Sequence, residues 1–173
     1  MDISELNSND IDSFISIHDT MIQNRKKQFN KKGILYNKIN NYNIISQIIL
    51  PILNKTKKIL DIFNKKNYDL SKYYIEFHQQ NYGFKKINKR TFDWHIDNYG
   101  AVGFKVYTVI FYLRKDITIK GGNLEYILNG KNYIQEIIDG KILCFDGDLK
   151  HRPEMCSGFG CRDSIVVFIK SLI

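Results

Sequence analysis

Two short stretches of the 173-residue chain hold residue types that can do chemistry together. The first is TFDWHIDNYG, residues 91–100, where His95 and Asp97 stand two apart beside Trp94. In an extended chain, residues i and i+2 project from the same face, so an imidazole nitrogen and a carboxylate oxygen can converge on one point. A strand end whose polar residues fall in register by chance would look the same. The pair therefore gains meaning only from a further ligand downstream. The second stretch, GDLKHRPEMCSGFGCRDSIVVFIK, supplies one in His151 and follows it with Arg162 and Ser164. Two imidazoles and one carboxylate occupy one face of an octahedral Fe(II) and leave three positions open. A structural zinc would take four protein ligands and leave none. Arg162 and Ser164 again stand two apart in a strand pattern. A guanidinium fork beside a hydroxyl is suited to holding a carboxylate by charge-assisted hydrogen bonds.

The elements that must position these residues divide the chain in two. Up to about residue 67 the pattern reads as helical. DIDSFISIHDTMIQ has apolar residues at helical spacing, with Ser8, Asn9 or Asp10 able to cap its start. NYNIISQIILPILNKTKKILDIFNKK gives a second, longer helix that Pro51 should kink or divide. From about residue 68 the chain turns to short runs rich in Tyr, Phe, Ile and Val: KYYIEFHQ, RTFDWHI, GFKVYTVIFYL, NLEYIL, NYIQEII, KILCFDG and RDSIVVFIK. Asn129-Gly130 between two of them signals a tight hairpin turn. An all-helical start followed by seven or more strands fits an α+β fold, an antiparallel sandwich or jelly roll with helices packed on one sheet. Without an internal repeat or low-complexity linker, residues 1–173 read as one domain.

At the chemical residues the sequence resembles the Fe(II)- and 2-oxoglutarate-dependent oxygenases, in particular their prolyl-hydroxylase-like branch. HID, then His151, then RDS look like that family's His-x-Asp…His…Arg-x-Ser signature. VYTVIFYLRKD followed by GGNLEY is similar to its strand ending in Tyr-Leu and its Gly-Gly-x-Leu turn, and GKILCFDGDLKH resembles the strand leading to the second iron histidine. The resemblance covers residues 73–170 and leaves the helical N-terminus outside. It implies a double-stranded β-helix (jelly roll) over about 68–173, with residues 1–67 as helical support. It further implies iron held by His95, Asp97 and His151, and 2-oxoglutarate and O2 as co-substrates. The far carboxylate of 2-oxoglutarate would meet Arg162, with Ser164 and Tyr112 as hydrogen-bond partners. Gly121 and Gly122 permit a tight turn and are assigned no chemistry. Trp94 and Asn98 flank the ligands, where they could orient a histidine, contact substrate or serve the core. His18 and His78 read as structural, and Gln79 or Tyr82 as uncertain co-substrate contacts.

The implied function is hydroxylation of a protein or peptide side chain, proline first, with release of succinate and CO2. A nucleic-acid demethylase is the second reading, encouraged by a net charge of +8. Those enzymes carry a second Arg after the first, and RDSIVVFIK has none. A small-molecule hydroxylase and a non-catalytic jelly-roll binding module stay open. The lysines and arginines are scattered rather than gathered on a face, and the densest basic run near the motif, FKKINKR, reads as a solvated loop. Hydrophobic residues make up 43% of the chain, which excludes a disordered protein. No apolar run approaches the roughly 18–20 residues of a membrane helix. The polar, acidic start MDISELNSND has no signal-peptide character. Three cysteines, Cys144, Cys156 and Cys161, cannot all pair, so reduced thiols in the cytoplasm are expected, and Cys156 and Cys161 should be neither bridged nor metal-bound.

Overall fold

The computed structural model describes residues 1–23, 34–40, 46–82, 93–98 and 104–172. In chain order these form β1 (Asp2–Glu5), α1 (Ser8–Gln23), β2 (Ile34–Asn40), α2 (Ser46–Ile62), β3 (Tyr68–Tyr82), β4 (Val106–Lys115) and β5 (Lys120–Gly121). There follow β6 (Leu124–Leu128), β7 (Lys131–Gln135), β8 (Lys141–Asp146), β9 (Lys150–Pro153), β10 (Cys156–Ser157) and β11 (Gly160–Ser171). A six-stranded antiparallel sheet runs β1-β8-β4-β11-β3-β2, a three-stranded sheet runs β7-β6-β9, and β10 pairs with β5.

Period-two alternation sorts the large sheet into two faces. Odd-numbered Ile75, Phe77, Val109, Phe111, Ile165, Val167 and Ile169 share one buried cluster with both helices. Even-numbered Tyr74, Ile110, Tyr112, Val166 and Phe168 share a second with Leu124 of the small sheet and Ile137. The helices dock because their apolar residues recur at helical spacing: Phe14, His18 and Met21 on α1, and Ile49, Ile52, Ile59 and Leu60 on α2. Phe14 meets the edge of Phe111 at a centroid distance of 5.2 Å. Truncating the fully buried Phe111 to Ala would cost about 3–5 kcal/mol.

Several expectations need correction. Residues 1–67 are not wholly helical, because β1 and β2 occupy the two edges of the large sheet. The four residues of β1 were too short and too polar to register as a strand. α1 is capped by Asn7, whose Oδ1 accepts from the Asp10 amide at 2.8 Å, rather than by Ser8, Asn9 or Asp10. Pro51 lies inside α2 without dividing it, six residues into the helix where only an early-turn hydrogen bond is lost. Of the expected strand RTFDWHI, only residues 93–96 are among the described residues, and they form no strand. His95 makes a single bridge to His151, and Asp97 follows in a bend. The hairpin at Asn129-Gly130 is present, both residues having positive φ (50° and 74°). FKKINKR and Tyr82's side chain lie outside the described residues.

Candidate active site

The bridge between His95 and His151 builds the site. The His95 amide donates to the His151 carbonyl at 3.0 Å, and the His151 amide returns the bond at 2.9 Å. Two histidines far apart in sequence are thereby set side by side, ring centroids 4.3 Å apart. Asp97 is placed by the turn after β8: its amide donates to the Gly147 carbonyl at 2.8 Å. Asn98 then anchors the bend, its Oδ1 accepting from the Val106 amide at 2.8 Å and its side-chain amide donating to Asp148. The carboxylate meets both rings, with His95 Nε2 3.8 Å from Oδ1 and His151 Nε2 3.8 Å from Oδ2. His95, Asp97 and His151 thus offer three ligand atoms all within 4.8 Å of one another.

The histidine nitrogens not facing this point are engaged elsewhere. His95 Nδ1 lies 2.7 Å from the Asp93 carbonyl and His151 Nδ1 2.8 Å from the Leu149 carbonyl. A carbonyl can only accept, so each Nδ1 carries a proton, and in the neutral ring Nε2 then presents a lone pair. Two lone pairs and a carboxylate directed at one point repel unless a cation sits among them, and an imidazole fixed by its second nitrogen is the usual arrangement of a metal ligand. Burial lowers the His151 pKa, with Asp97 opposing and His95 adding to the shift. The ring therefore stays neutral, and able to ligate, to lower pH than an ordinary imidazole.

These groups open into a cavity of about 220 Å³ lined from both sheets. Arg162, Ser164 and Tyr112 line the same cavity. Arg162 is 5% exposed, its Nη1 donates to the Gly122 carbonyl, and its guanidinium carbon lies 5.2 Å from the Tyr112 ring centre. Its buried Nε has no hydrogen-bond partner. Among the described residues it makes no ion pair. A buried guanidinium with an unused N–H fits an anionic ligand entering from the cavity. Ser164 sits opposite Tyr112 across the strands, and both are buried. Burial raises the Tyr112 pKa, with Arg162 opposing, so its phenol remains a donor.

His95, Asp97, His151, Arg162 and Ser164, singled out by type and spacing, and Tyr112, implied by the resemblance, all line this one cavity. Others were missed. His78, read as structural, lines the cavity and bonds Glu76 at 2.8 Å. On β3 the cavity residue is Gln80 rather than Gln79, because alternation puts Tyr74, Glu76, His78 and Gln80 on that face. Thr108 lies on the same alternation as Ile110 and Tyr112 and donates to Asp97 Oδ2 at 2.6 Å. A lone hydroxyl in the apolar run VYTVIFYL was the signal for it. Gly122 does more than turn the chain: a Cβ there would lie 2.7 Å from Arg162 Nη1 and 2.7 Å from Cys156 Sγ. His18 is outside the cavity, fully buried, with Nε2 bonded to the His78 carbonyl at 2.9 Å. Trp94 carries the Arg152 guanidinium over its ring at 4.2 Å.

No protein-family model matches the chain. No curated protein matches its sequence. Solved structures do match. A prolyl-4-hydroxylase from Pseudomonas putida superposes with a TM-score of 0.73 at 12% identity, over 98% of this chain and 91% of that one. A 2OG-Fe(II) oxygenase family protein from Burkholderia pseudomallei gives 0.68 at 14% identity, over 95% and 79%. The viral collagen prolyl hydroxylase of Paramecium bursaria Chlorella virus-1, solved with 2OG, gives 0.59 at 14% identity, over 98% and 95%. At 12–14% identity these likenesses show a shared fold, the one found in these 2OG-Fe(II) oxygenase structures. Prolyl hydroxylases are among its structural neighbours.

Proposed function

We propose that this chain is an Fe(II)- and 2-oxoglutarate-dependent dioxygenase that hydroxylates a side chain of a protein or peptide, with proline the first candidate. One observation carries the reading. The point where His95, Asp97 and His151 converge shares a cavity with a buried arginine whose Nε has no partner. The donor set of two neutral imidazoles and one carboxylate suits Fe(II) and leaves positions for co-substrates. Iron, when bound with 2-oxoglutarate, would supply oxidation by O2, one oxygen atom entering the substrate C–H bond as a hydroxyl and the other entering succinate as CO2 is released.

The chain's own residues do the rest. Arg162 holds the far carboxylate of 2-oxoglutarate, assisted by the hydroxyls of Ser164 and Tyr112. Ile110, Leu124, Val166 and Phe168 line the cavity with apolar surface and keep water from it. The two sheets enclosing the cavity are read as the double-stranded β-helix of the family. A peptide substrate draws support from a neighbour described as a prolyl hydroxylase in complex with a hypoxia inducible factor peptide, from Trichoplax adhaerens (TM-score 0.64, 13% identity, 98% of this chain and 83% of that one). Three free thiols suit the cytoplasm, and no helix among the described residues is long and apolar enough to cross a membrane.

The test is turnover of 2-oxoglutarate to succinate by Fe(II)-loaded protein with a proline-containing peptide pool, with methylated DNA and with neither. Stimulation by the peptides, with a mass gain of one oxygen on the peptide, supports the proposal; stimulation by DNA alone moves the substrate to nucleic acid. Asp97→Ala should abolish turnover and leave the circular dichroism spectrum in place. Full activity of His151→Ala would overturn the metal assignment.

A further inference from the structure

We infer that Thr108 is a positioning residue for the metal site, fixing the Asp97 carboxylate so that it offers the metal one set direction. The inference rests on the reading of His95, Asp97 and His151 as ligands and extends it to a side chain that does not itself ligate. Thr108 lies near the start of β4 and is fully buried. Its Oγ1 lies 2.6 Å from Asp97 Oδ2. The carboxylate can only accept, so the hydroxyl donates. Asp97 has a side-chain exposure of 8%, which leaves water little access to orient it.

The need for such a group follows from the local backbone. His95 and His151 are held by the bridge between them and by the carbonyls at their Nδ1 atoms. Asp97 lies in a bend rather than a ladder, with its amide tied to Gly147. Its χ1 and χ2 torsions would otherwise be free to swing the carboxylate toward either ring. Thr108 removes that freedom from the rigid side, because β4 is an inner strand paired with both β8 and β11. Hydrogen-bond partners of metal ligands typically govern metal affinity by about 10- to 100-fold.

A packing role and a positioning role for Thr108 rank two substitutions in opposite order. Thr108→Val keeps the buried shape and loses the hydroxyl. Thr108→Ser keeps the hydroxyl and loses a methyl. The measurement is Mn(II) titration into metal-free protein, with thermal melting of the same metal-free samples. Positioning by Thr108 gives a Thr108→Val protein with a melting temperature near the parent's and Mn(II) bound about 10- to 100-fold more weakly, while Thr108→Ser binds Mn(II) nearly as the parent does. If Thr108→Val binds as tightly as the parent, or Thr108→Ser is the weaker of the two, the inference is overturned. Asp97→Ala in the same titration separates the two levels. Should Asp97→Ala leave Mn(II) affinity unchanged, the metal-site reading itself fails. If it abolishes binding and Thr108→Val does not weaken it, only the role of Thr108 is lost.

Discussion

Arg162 and Asp163 are neighbours on β11, both are buried, and they face opposite ways. Asp163 points to the helix side. There a one-residue slip in the β4–β11 register sets Arg114 opposite it, so that the Arg114 guanidinium bonds Asp163 at 2.5 Å and Asp19 at 2.6 Å. That charge is met from within the chain. Arg162 points to the cavity, where its Nη1 donates to the neutral Gly122 carbonyl. The cavity's other carboxylate on β3, Glu76, is already bonded to His78. One strand thus carries an ion-paired carboxylate on one face, its buried Oδ1 without a hydrogen-bond partner among the described residues, and on the other face a buried guanidinium with no ion pair among them. Burying an uncompensated charge costs several kcal/mol. Under the proposed function, the far carboxylate of 2-oxoglutarate supplies the charged partner that Arg162 does not have among the described residues.

The comparison breaks most sharply at Arg162. Arg162→Ala should weaken binding of 2-oxoglutarate, or of its inert oxalylglycine analogue, to metal-loaded protein. Losing one partner of a buried charged pair costs about 2–5 kcal/mol, which is roughly thirty-fold to several thousand-fold in affinity. Arg162→Lys should recover only part, since an ammonium keeps the charge and loses the fork. Parent-like binding by Arg162→Ala would place the co-substrate elsewhere.

On the opposite face the expected loss is of stability. Arg114→Ala strands the fully buried Asp163 carboxylate and should lower unfolding stability by about 3 kcal/mol in urea melts, at the lower end of the usual range because Arg114 is itself half-exposed. Analogue affinity of the folded protein should stay within a few-fold. A loss confined to affinity would mean the two faces are not separate.

Ser164→Ala removes one hydrogen bond to a charged ligand and should cost about 1.5–3 kcal/mol of analogue binding. The smallest effect is expected from Cys156→Ser combined with Cys161→Ser, which should leave metal content and turnover near the parent's. Neither cysteine is in a disulfide, and a large loss of bound zinc from that variant would show a role for CSGFGC. Cys144, whose thiol burial pushes up to about 12, should resist alkylation at pH 8 in the folded protein.

How much of this could be read beforehand follows from range. Arg162 and Ser164 were legible because a strand's alternation is a local rule, and so were the Asn129-Gly130 turn and both helices. His95 and Asp97 do lie together, but not for the expected reason. They converge through a bridge and a bend rather than along a strand, and the bridge depends on a residue 56 positions away (151 − 95). β1 and β2 were invisible because each takes its identity from a partner strand, β8 and β3, rather than from its own pattern. Thr108 and Gly122 were hidden for a similar cause: a hydroxyl and a glycine acquire their roles from what stands across from them.

The two reciprocal bonds between His95 and His151 also bear on how the site comes into being. A contact of such sequence separation costs loop-closure entropy that local contacts do not. Segment 93–98 can close only when the turn at Gly147 and the start of β9 are in place to receive it. A metal held by that closed arrangement, and not by the open chain, adds stability by mass action, about 2.7 kcal/mol at a hundred times its dissociation constant. Hydrogen exchange at the amides of His95, Asp97 and His151 should therefore slow as metal is added, well before the amides of β11 respond.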